Sequence, residues 1–192
     1  MGDAVALLSE VTKLMNDGMT QLLNTAFTTG SGTGNPTGII TALTGGSSVV
    51  NTGTGGTLAA SDVYAVQSSL GPRFQGNARW VGNLAILNAL RQEETTNGAL
   101  KFPSLQNDPP TLLARPVHEL SNMDNTIAAN ENLLVYGDFS QYVITQRVGS
   151  SLELIPHLFG SNRRPTGQRG VWLWARYGAD SVNDNAFRLL VA

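Results

Sequence analysis

Asn132-Leu-Leu-Val-Tyr-Gly-Asp-Phe-Ser-Gln-Tyr-Val-Ile144 decides the fold together with Gly167-Gln-Arg-Gly-Val-Trp-Leu-Trp-Ala-Arg-Tyr-Gly-Ala-Asp180. Both segments are rich in β-branched and aromatic residues, and the Gly, Asn and Pro residues at 160–167 form a turn-rich connection. Before this connection, Leu152, Leu154 and Pro156 alternate with Glu153, Ile155 and His157, which predicts a strand. Val171 to Tyr177 predicts a second strand after it, and we predict that these two long strands pair as an antiparallel ribbon. The end of the chain has the same composition, and we predict a last short strand over residues 186–191.

The first part of the chain predicts helices. Residues 3–27 carry apolar side chains at three- and four-residue steps, as in one amphipathic helix. Its predicted stripe consists of Ala4, Leu8, Val11, Met15, Met19, Leu22 and Ala26. We also predict a helix that starts at an N-cap Ser61 and another that Asn83 caps. Residues 28–60 are rich in Gly, Thr, Ser and Asn, which indicates turns. The fold class is therefore α+β.

Composition excludes several classes of function. The 192 residues contain no cysteine, which excludes disulfides, thiolate chemistry and Cys-based zinc sites. No run of about eighteen apolar residues occurs, so no membrane contact is predicted. The first residues lack the basic and apolar blocks of a secretory signal. We expect a soluble protein that is not secreted.

Charge is sparse and uneven along the chain. Only 14% of residues are charged, and residues 1–138 carry six basic and eleven acidic groups, while residues 139–192 carry six and three. The arginines of interest in the second part are Arg163, Arg164, Arg169, Arg176 and Arg188. They suit either nucleic-acid phosphates or the acidic part of a neighbouring copy. We favour the neighbouring copy, because arginine forms bidentate pairs with carboxylates and a nucleic-acid binder carries a larger basic excess.

Two tryptophans, Trp172 and Trp174, lie on one predicted strand. Large aromatic side chains are typical both of cores and of interface anchors, and both interpretations remain open. Together with the five arginines they form our candidate subunit interface.

No motif predicts catalytic, cofactor-binding or metal-binding residues. Gly30-Ser-Gly-Thr-Gly34 lacks the Gly-Lys-Ser/Thr of a phosphate-binding loop and predicts a turn. His118 and His157 lack zinc-ligand spacing. A rival hypothesis is a small hydrolase that uses Asp138, Glu153 or His157, although nothing in their spacing favours it. A DNA-binding module that uses the C-terminal arginines is a third possibility.

The order of segments resembles the Hong Kong 97 type of major capsid protein of tailed phages, across essentially the whole chain. No single segment carries the resemblance. The matching series is the long helix, Thr29-Gly-Ser-Gly-Thr-Gly-Asn-Pro-Thr-Gly-Ile39, Asn77-Ala-Arg-Trp-Val81, Asn97-Gly98, Gly137-Asp-Phe-Ser-Gln-Tyr142, Arg147-Val-Gly149 and Gln168 to Asp180.

The resemblance implies a peripheral domain with a spine helix and ribbon, residues 1–38 and 147–180, and an axial domain, residues 39–146 and 181–192. It implies a structural protein without cofactor that assembles in the host cytoplasm into pentamers and hexamers of an icosahedral virion shell around double-stranded DNA. Scaffold, portal and decoration proteins, and non-specific contact with packaged DNA, are further implied partners. An encapsulin-type nanocompartment shell is the alternative within the same fold.

The chain also departs from the family pattern. Relatives carry an N-terminal arm and an extended loop before the spine helix, whereas this chain starts at the helix. We therefore expect a truncated form or the stable remainder of a longer protein, with weakened assembly. Some relatives cross-link a loop lysine to an asparagine with the help of a ribbon glutamate. Because that loop is missing and Val171 to Arg176 contains no glutamate, we predict no isopeptide chemistry.

Overall fold

The computed structural model describes the backbone of residues 2–192 and the side chains of residues 9–192. The helices are α1 (Gly2–Thr29), α2 (Ile39–Leu43), α3 (Ala60–Ser69), α4 (Pro72–Gln75) and α5 (Leu84–Arg91). The strands are β1 (Val49–Asn51), β2 (Arg79–Gly82), β3 (Thr111–Leu112), β4 (Arg115–Glu119), β5 (Asn132–Gly137), β6 (Tyr142–Ile155), β7 (Gly170–Ser181) and β8 (Phe187–Val191). The predicted α+β class, the long first helix and the closing strand are confirmed.

The chain forms two compact units. The ribbon unit comprises residues up to Asn24 and Ile144–Gly178, and the sheet unit comprises Thr25–Val143 and Ala179–Ala192. Residues 25–38 therefore belong with the sheet, whereas the sequence places its boundary after residue 38. The reason is local, since the Thr37 N–H donates to Ala179 O at 2.9 Å.

The sheet unit is built around β5. Its six strands have the order β1-β8-β5-β2-β4-β3, and β5 pairs antiparallel with both β8 and β2. Leu133–Tyr136 are fully buried, because β5 is central and covered on both faces. A strand buried on both faces needs a continuous apolar run, which is what the sequence shows here. The Trp80 ring on β2 stacks on Tyr136, with ring centroids 4.2 Å apart.

The two predicted helix caps have different outcomes. Asn83 caps α5 as expected, because its side chain accepts the Ala85 N–H at 3.0 Å. Ser61 is not the N-cap of α3, since that position is Ala59. The buried carboxylate of Asp62 instead accepts the N–H of Ala59 at 2.9 Å and that of Gly53 at 3.1 Å, at the start of the helix. A carboxylate in the first turn also faces the positive end of the helix dipole.

The apolar stripe of α1 differs from the prediction at one place. Leu22 is 70% exposed, and Leu23 is half-buried instead. Four-residue steps from Val11 lead through Met15 and Met19 to Leu23, which therefore lies on the half-buried face. The three-residue step from Met19 places Leu22 outside that face. The side chains of the remaining predicted members, Ala4 and Leu8, lie outside the described residues.

A glycine turn after α1 is closed by a tyrosine. Gly38 donates its N–H to Gly30 O at 2.8 Å, and a Cβ added at Gly38 would lie only 2.5 Å from Gly30 N. The Tyr142 hydroxyl lies 2.7 Å from Thr37 O and 3.1 Å from Phe27 O. Its proton is shared between two carbonyls, one at the end of α1 and one in the turn. The glycines thus serve backbone packing, as the turn interpretation predicts.

We expect Tyr142→Phe to lower the free energy of unfolding by about 1 kcal/mol, because two carbonyls lose their donor. Burial, followed by the Asp180 charge, raises the pKa of Tyr142 to about 12. The unfolded tyrosine ionises near pH 10, so this group stabilises the fold below that pH and the contribution is lost as pH rises towards 12. Urea denaturation at pH 7 and at alkaline pH measures both effects. Tyr64→Phe, at a half-exposed ring on α3, is the control and should change little.

Candidate interaction surface of the ribbon

The strands β6 and β7 form a separate two-stranded sheet, so the predicted ribbon is confirmed. The connecting hairpin is closed by the Leu158 N–H on Gln168 O at 3.0 Å and the Gly160 N–H on Arg164 O at 2.9 Å. Arg163 sits at the tip with a left-handed φ of 59°. A two-stranded ribbon has little core of its own, so its exposed side chains are free to meet other surfaces.

The ribbon exposes an unusual share of apolar side chains. Among the described residues, six of the thirteen exposed large hydrophobic side chains lie on its strands or hairpin. They are Val143, Ile144, Leu152, Leu154, Phe159 and Trp172. Leu152 and Leu154, two residues apart, point to the same face of β6, and grouped apolar exposure is typical of interaction surfaces.

One face of the ribbon combines aromatic and charged groups. Side chains two residues apart on a strand point the same way, and the rings of Trp172 and Trp174 have centroids 6.2 Å apart. The Trp174 indole N–H donates to the Glu153 carboxylate at 3.3 Å. With Arg176 these residues line a shallow groove of about 420 Å³. Tryptophan and arginine are the residue types that most often anchor protein interfaces.

The structure separates the predicted arginines into two groups. Arg163, Arg164 and Arg169 are exposed in the hairpin, and Arg176 is exposed on β7. Arg188 lies on β8 in the sheet unit, where its guanidinium donates to Ser69 O at 3.1 Å, Asn185 O at 3.2 Å and Phe187 O at 2.6 Å. Burial lowers the pKa of Arg188.

Arg188 therefore belongs to the sheet unit, whereas the other four arginines belong to the ribbon unit. Sequence proximity of β8 to β7 suggested one cluster, but β8 pairs with β5 and β1 inside the six-stranded sheet. The candidate surface is reduced to the four ribbon arginines and the two tryptophans. We call this set, Arg163, Arg164, Arg169, Arg176, Trp172 and Trp174, the ribbon surface.

The proposed hydrolase residues lie in different units of the chain. Asp138 belongs to the sheet unit, where its carboxylate accepts the Ser140 N–H at 3.0 Å, while Glu153 and His157 belong to the ribbon unit. Glu153 lies on β6 of the ribbon, beside Trp174, so the lack of a glutamate in Val171 to Arg176 does not extend to the whole ribbon.

The described residues contain neither a cluster of metal ligands nor a helix suited to span a membrane. Within residues 9–192 no three His, Asp or Glu side chains converge as metal ligands would. None of the helices described has the combination of length and apolar composition that crossing a bilayer requires.

Comparisons with known proteins agree on one family. The model of the phage capsid family matches residues 1–192. The capsid of an empty GTA particle is similar at 26% identity and a TM-score of 0.79, over 95% of this chain and 65% of that chain. The capsid of a native GTA particle is similar at 25% identity and a TM-score of 0.81, over 95% of this chain and 64% of that chain. A chain from Mycobacterium phage Ogopogo, at 16% identity, shares the fold with a TM-score of 0.68, over 96% of this chain and 67% of that chain.

The chain spans about two thirds of the length of these structures, 65% and 64% for the two GTA capsids. No curated protein matches it.

Proposed function

The chain belongs to the phage capsid family, and from this we propose that it is a structural shell subunit, not an enzyme, whose function is to bind copies of itself in a virion capsid. The proposed assembly consists of pentamers and hexamers that form an icosahedral shell around double-stranded DNA and that assemble in the host cytoplasm. The ribbon unit, up to Asn24 and Ile144–Gly178, would be the peripheral domain, and the sheet unit, Thr25–Val143 and Ala179–Ala192, the axial domain. Scaffold, portal and decoration proteins are proposed as further partners.

The observation that supports this proposal most is the exposed apolar surface of the ribbon. Trp172 is 53% exposed and Phe159 is 67% exposed. Each is a large ring whose transfer out of water is favourable, by about 25 cal/mol per Å² of apolar area. Four exposed arginines lie on the same ribbon and suit carboxylates of a neighbouring copy. The ribbon surface is therefore proposed as a contact between subunits.

Electron microscopy and light scattering of the purified protein test self-association. Concentration-dependent growth into rings or shells would support the proposal. A protein that stays monomeric at high concentration would contradict it. Steep, salt-dependent DNA retention without self-association would instead favour the DNA-binding hypothesis.

We expect Trp172→Thr to weaken self-association by about tenfold or more, because an exposed interface tryptophan is lost while threonine retains strand propensity. Sedimentation velocity over a concentration series measures the change. The control is Tyr64→Ala, at a ring of similar exposure, 51%, on α3, which should leave association unchanged. Equal effects of the two substitutions would contradict a specific role for the ribbon surface.

A further inference from the structure

Two arginines lie at the same end of two neighbouring strands in the six-stranded sheet. β2 begins at Arg79, β4 begins at Arg115, and these strands are parallel neighbours. Arg79 also lies opposite Gly137, where β5 ends. Parallel and antiparallel pairing thus brings the starts of β2 and β4 to the end of β5. Arg79 and Arg115 line a groove of about 460 Å³ with Asp138 and Ser140, and we call it the arginine groove.

The guanidinium groups in this groove keep donors for a partner. Arg79 is exposed, and its Nη1 lies 3.1 Å from His118 Nε2. A guanidinium only donates, so His118 Nε2 is the acceptor in this arrangement. Arg115 donates from Nη1 to Gly76 O at 2.9 Å. Within the described part of the chain neither arginine forms a salt bridge.

A pair of carboxyl groups lies at the other end of β5. Asp124 Oδ2 accepts the backbone N–H of Asn132, the first residue of β5, at 2.7 Å and its side-chain amide at 3.0 Å. Glu131 precedes β5 directly. A hydrogen bond with Asp124, the Asp124 charge and burial, in that order, raise the pKa of Glu131. Asp124, through its bonds to Asn132, and Glu131, through its place before Asn132, thus both lie at the start of β5, and neither is part of a salt bridge among the described residues.

The two charged sites therefore belong to different surfaces of one chain. β5 has six residues, and at a rise of about 3.3 Å per residue it separates its ends by roughly 17–20 Å. An arginine at one end cannot neutralise a carboxylate at the other within the same chain. Complementary patches at separate places are the requirement for head-to-tail association, in which every copy uses both patches and a ring forms when the rotation between copies closes.

We propose that the arginine groove of one chain binds the Asp124–Glu131 pair of a second copy. The inference rests on the proposed shell function and adds a second, charged contact to the apolar ribbon surface. Arginine is suited to this role because its planar fork matches carboxylate oxygens bidentately. A nucleic acid fits less well, because residues 1–138 carry a net −5, from six basic and eleven acidic groups, whereas a nucleic-acid binder carries a basic excess.

Charge reversal at both sites tests this contact. Arg79→Glu and Glu131→Lys are chosen because Arg115 and Asp124 also hold backbone groups of their own chain. Each single substitution is expected to weaken self-association by about tenfold or more, since like charges then face each other. The double variant should recover most of the loss. Sedimentation velocity measures association, and circular dichroism confirms that each variant is folded.

A mixture of the two single variants gives the sharpest result. In alternating order, the introduced carboxylate at position 79 faces the introduced ammonium at position 131, and the next contact is native. The mixture should therefore associate although neither variant does so alone. Because the two positions lie at opposite ends of β5, rescue by mixing requires a contact between chains.

Arg73→Glu, an exposed arginine of the sheet unit, is the matched control and should leave association unchanged. Arg79→Gln and Glu131→Gln replace the reversals if either of these unfolds, with an expected weakening of about threefold. Provided that the native protein assembles, either of two results would overturn the contact. One is native-like association of the single variants, and the other is a mixture that fails to associate. Loss of DNA retention by Arg79→Glu with unchanged association would also overturn it. A native protein that never associates overturns the shell function itself.

Discussion

Trp80→Ala is expected to lower the free energy of unfolding by about 3–5 kcal/mol. Trp80 is fully buried in β2, and its ring stacks on Tyr136 of β5. Alanine would remove this contact and leave a cavity between two central strands that cannot collapse freely. Urea denaturation at constant pH measures the change, and a loss below about 1 kcal/mol would mean that the sheet repacks around the site.

Trp80→Phe is the matched control for this substitution. Among the described residues the Trp80 indole N–H is buried and has no hydrogen-bond partner. Phenylalanine keeps an aromatic ring against Tyr136 and removes that donor, whose burial is unfavourable. The expected cost is therefore smaller, about 1–2 kcal/mol. Equal losses for the two variants would show that stacking of an aromatic ring on Tyr136 does not account for the stability.

Gly137→Ala is expected to destabilise the protein by about 3 kcal/mol, at the upper end of overpacking effects. Gly137 ends β5 and lies opposite Phe187 of β8. An added Cβ would lie 2.7 Å from Phe187 Cα and would overlap Ala186 O. Both obstacles are backbone atoms, so no side-chain rotation relieves the clash. Thermal and urea unfolding measure the change.

Gly76→Ala provides the control in the same unit. Gly76 has helical dihedrals, φ −59° and ψ −45°, and an added Cβ would meet no atom within 4 Å. Alanine at such a site lowers the entropy of the unfolded chain, so the expected change is neutral or a gain of up to about 1 kcal/mol. If both glycine variants lost the same stability, close approach at Gly137 would not be the cause.

Elements with a strong local signal could be predicted from the sequence. The apolar run at Leu133–Tyr136 indicates a buried strand, and Asn83 before an apolar face indicates a capped helix. By contrast, α2 and β1 fall in the Gly- and Thr-rich segment and were missed. β1 is formed by pairing with β8, and α2 buries Ile39, Ile40 and Leu43. Such short elements depend on tertiary contacts, which local composition does not contain.

The interaction surfaces show the same limit. Trp172 and Trp174 could be assigned to one strand face because alternation is local. Arg188 could not be separated from the ribbon arginines, because its position depends on strand order in the sheet. The arginine groove was missed as well. Arg79 and Arg115 are distant in sequence and become neighbours only because β2 and β4 pair in parallel.

The central position of β5 also has a dynamic consequence. Its residues Leu133–Tyr136 are shielded on both faces, and strands lie on both of its edges. Amide protons in such a strand exchange with solvent only through openings that approach global unfolding. Asn132 and Gly137, which adjoin the carboxyl pair and the arginine groove, are the two ends of this strand. β5, the strand that separates the two charged sites, is thus among the last parts of the molecule to open to solvent.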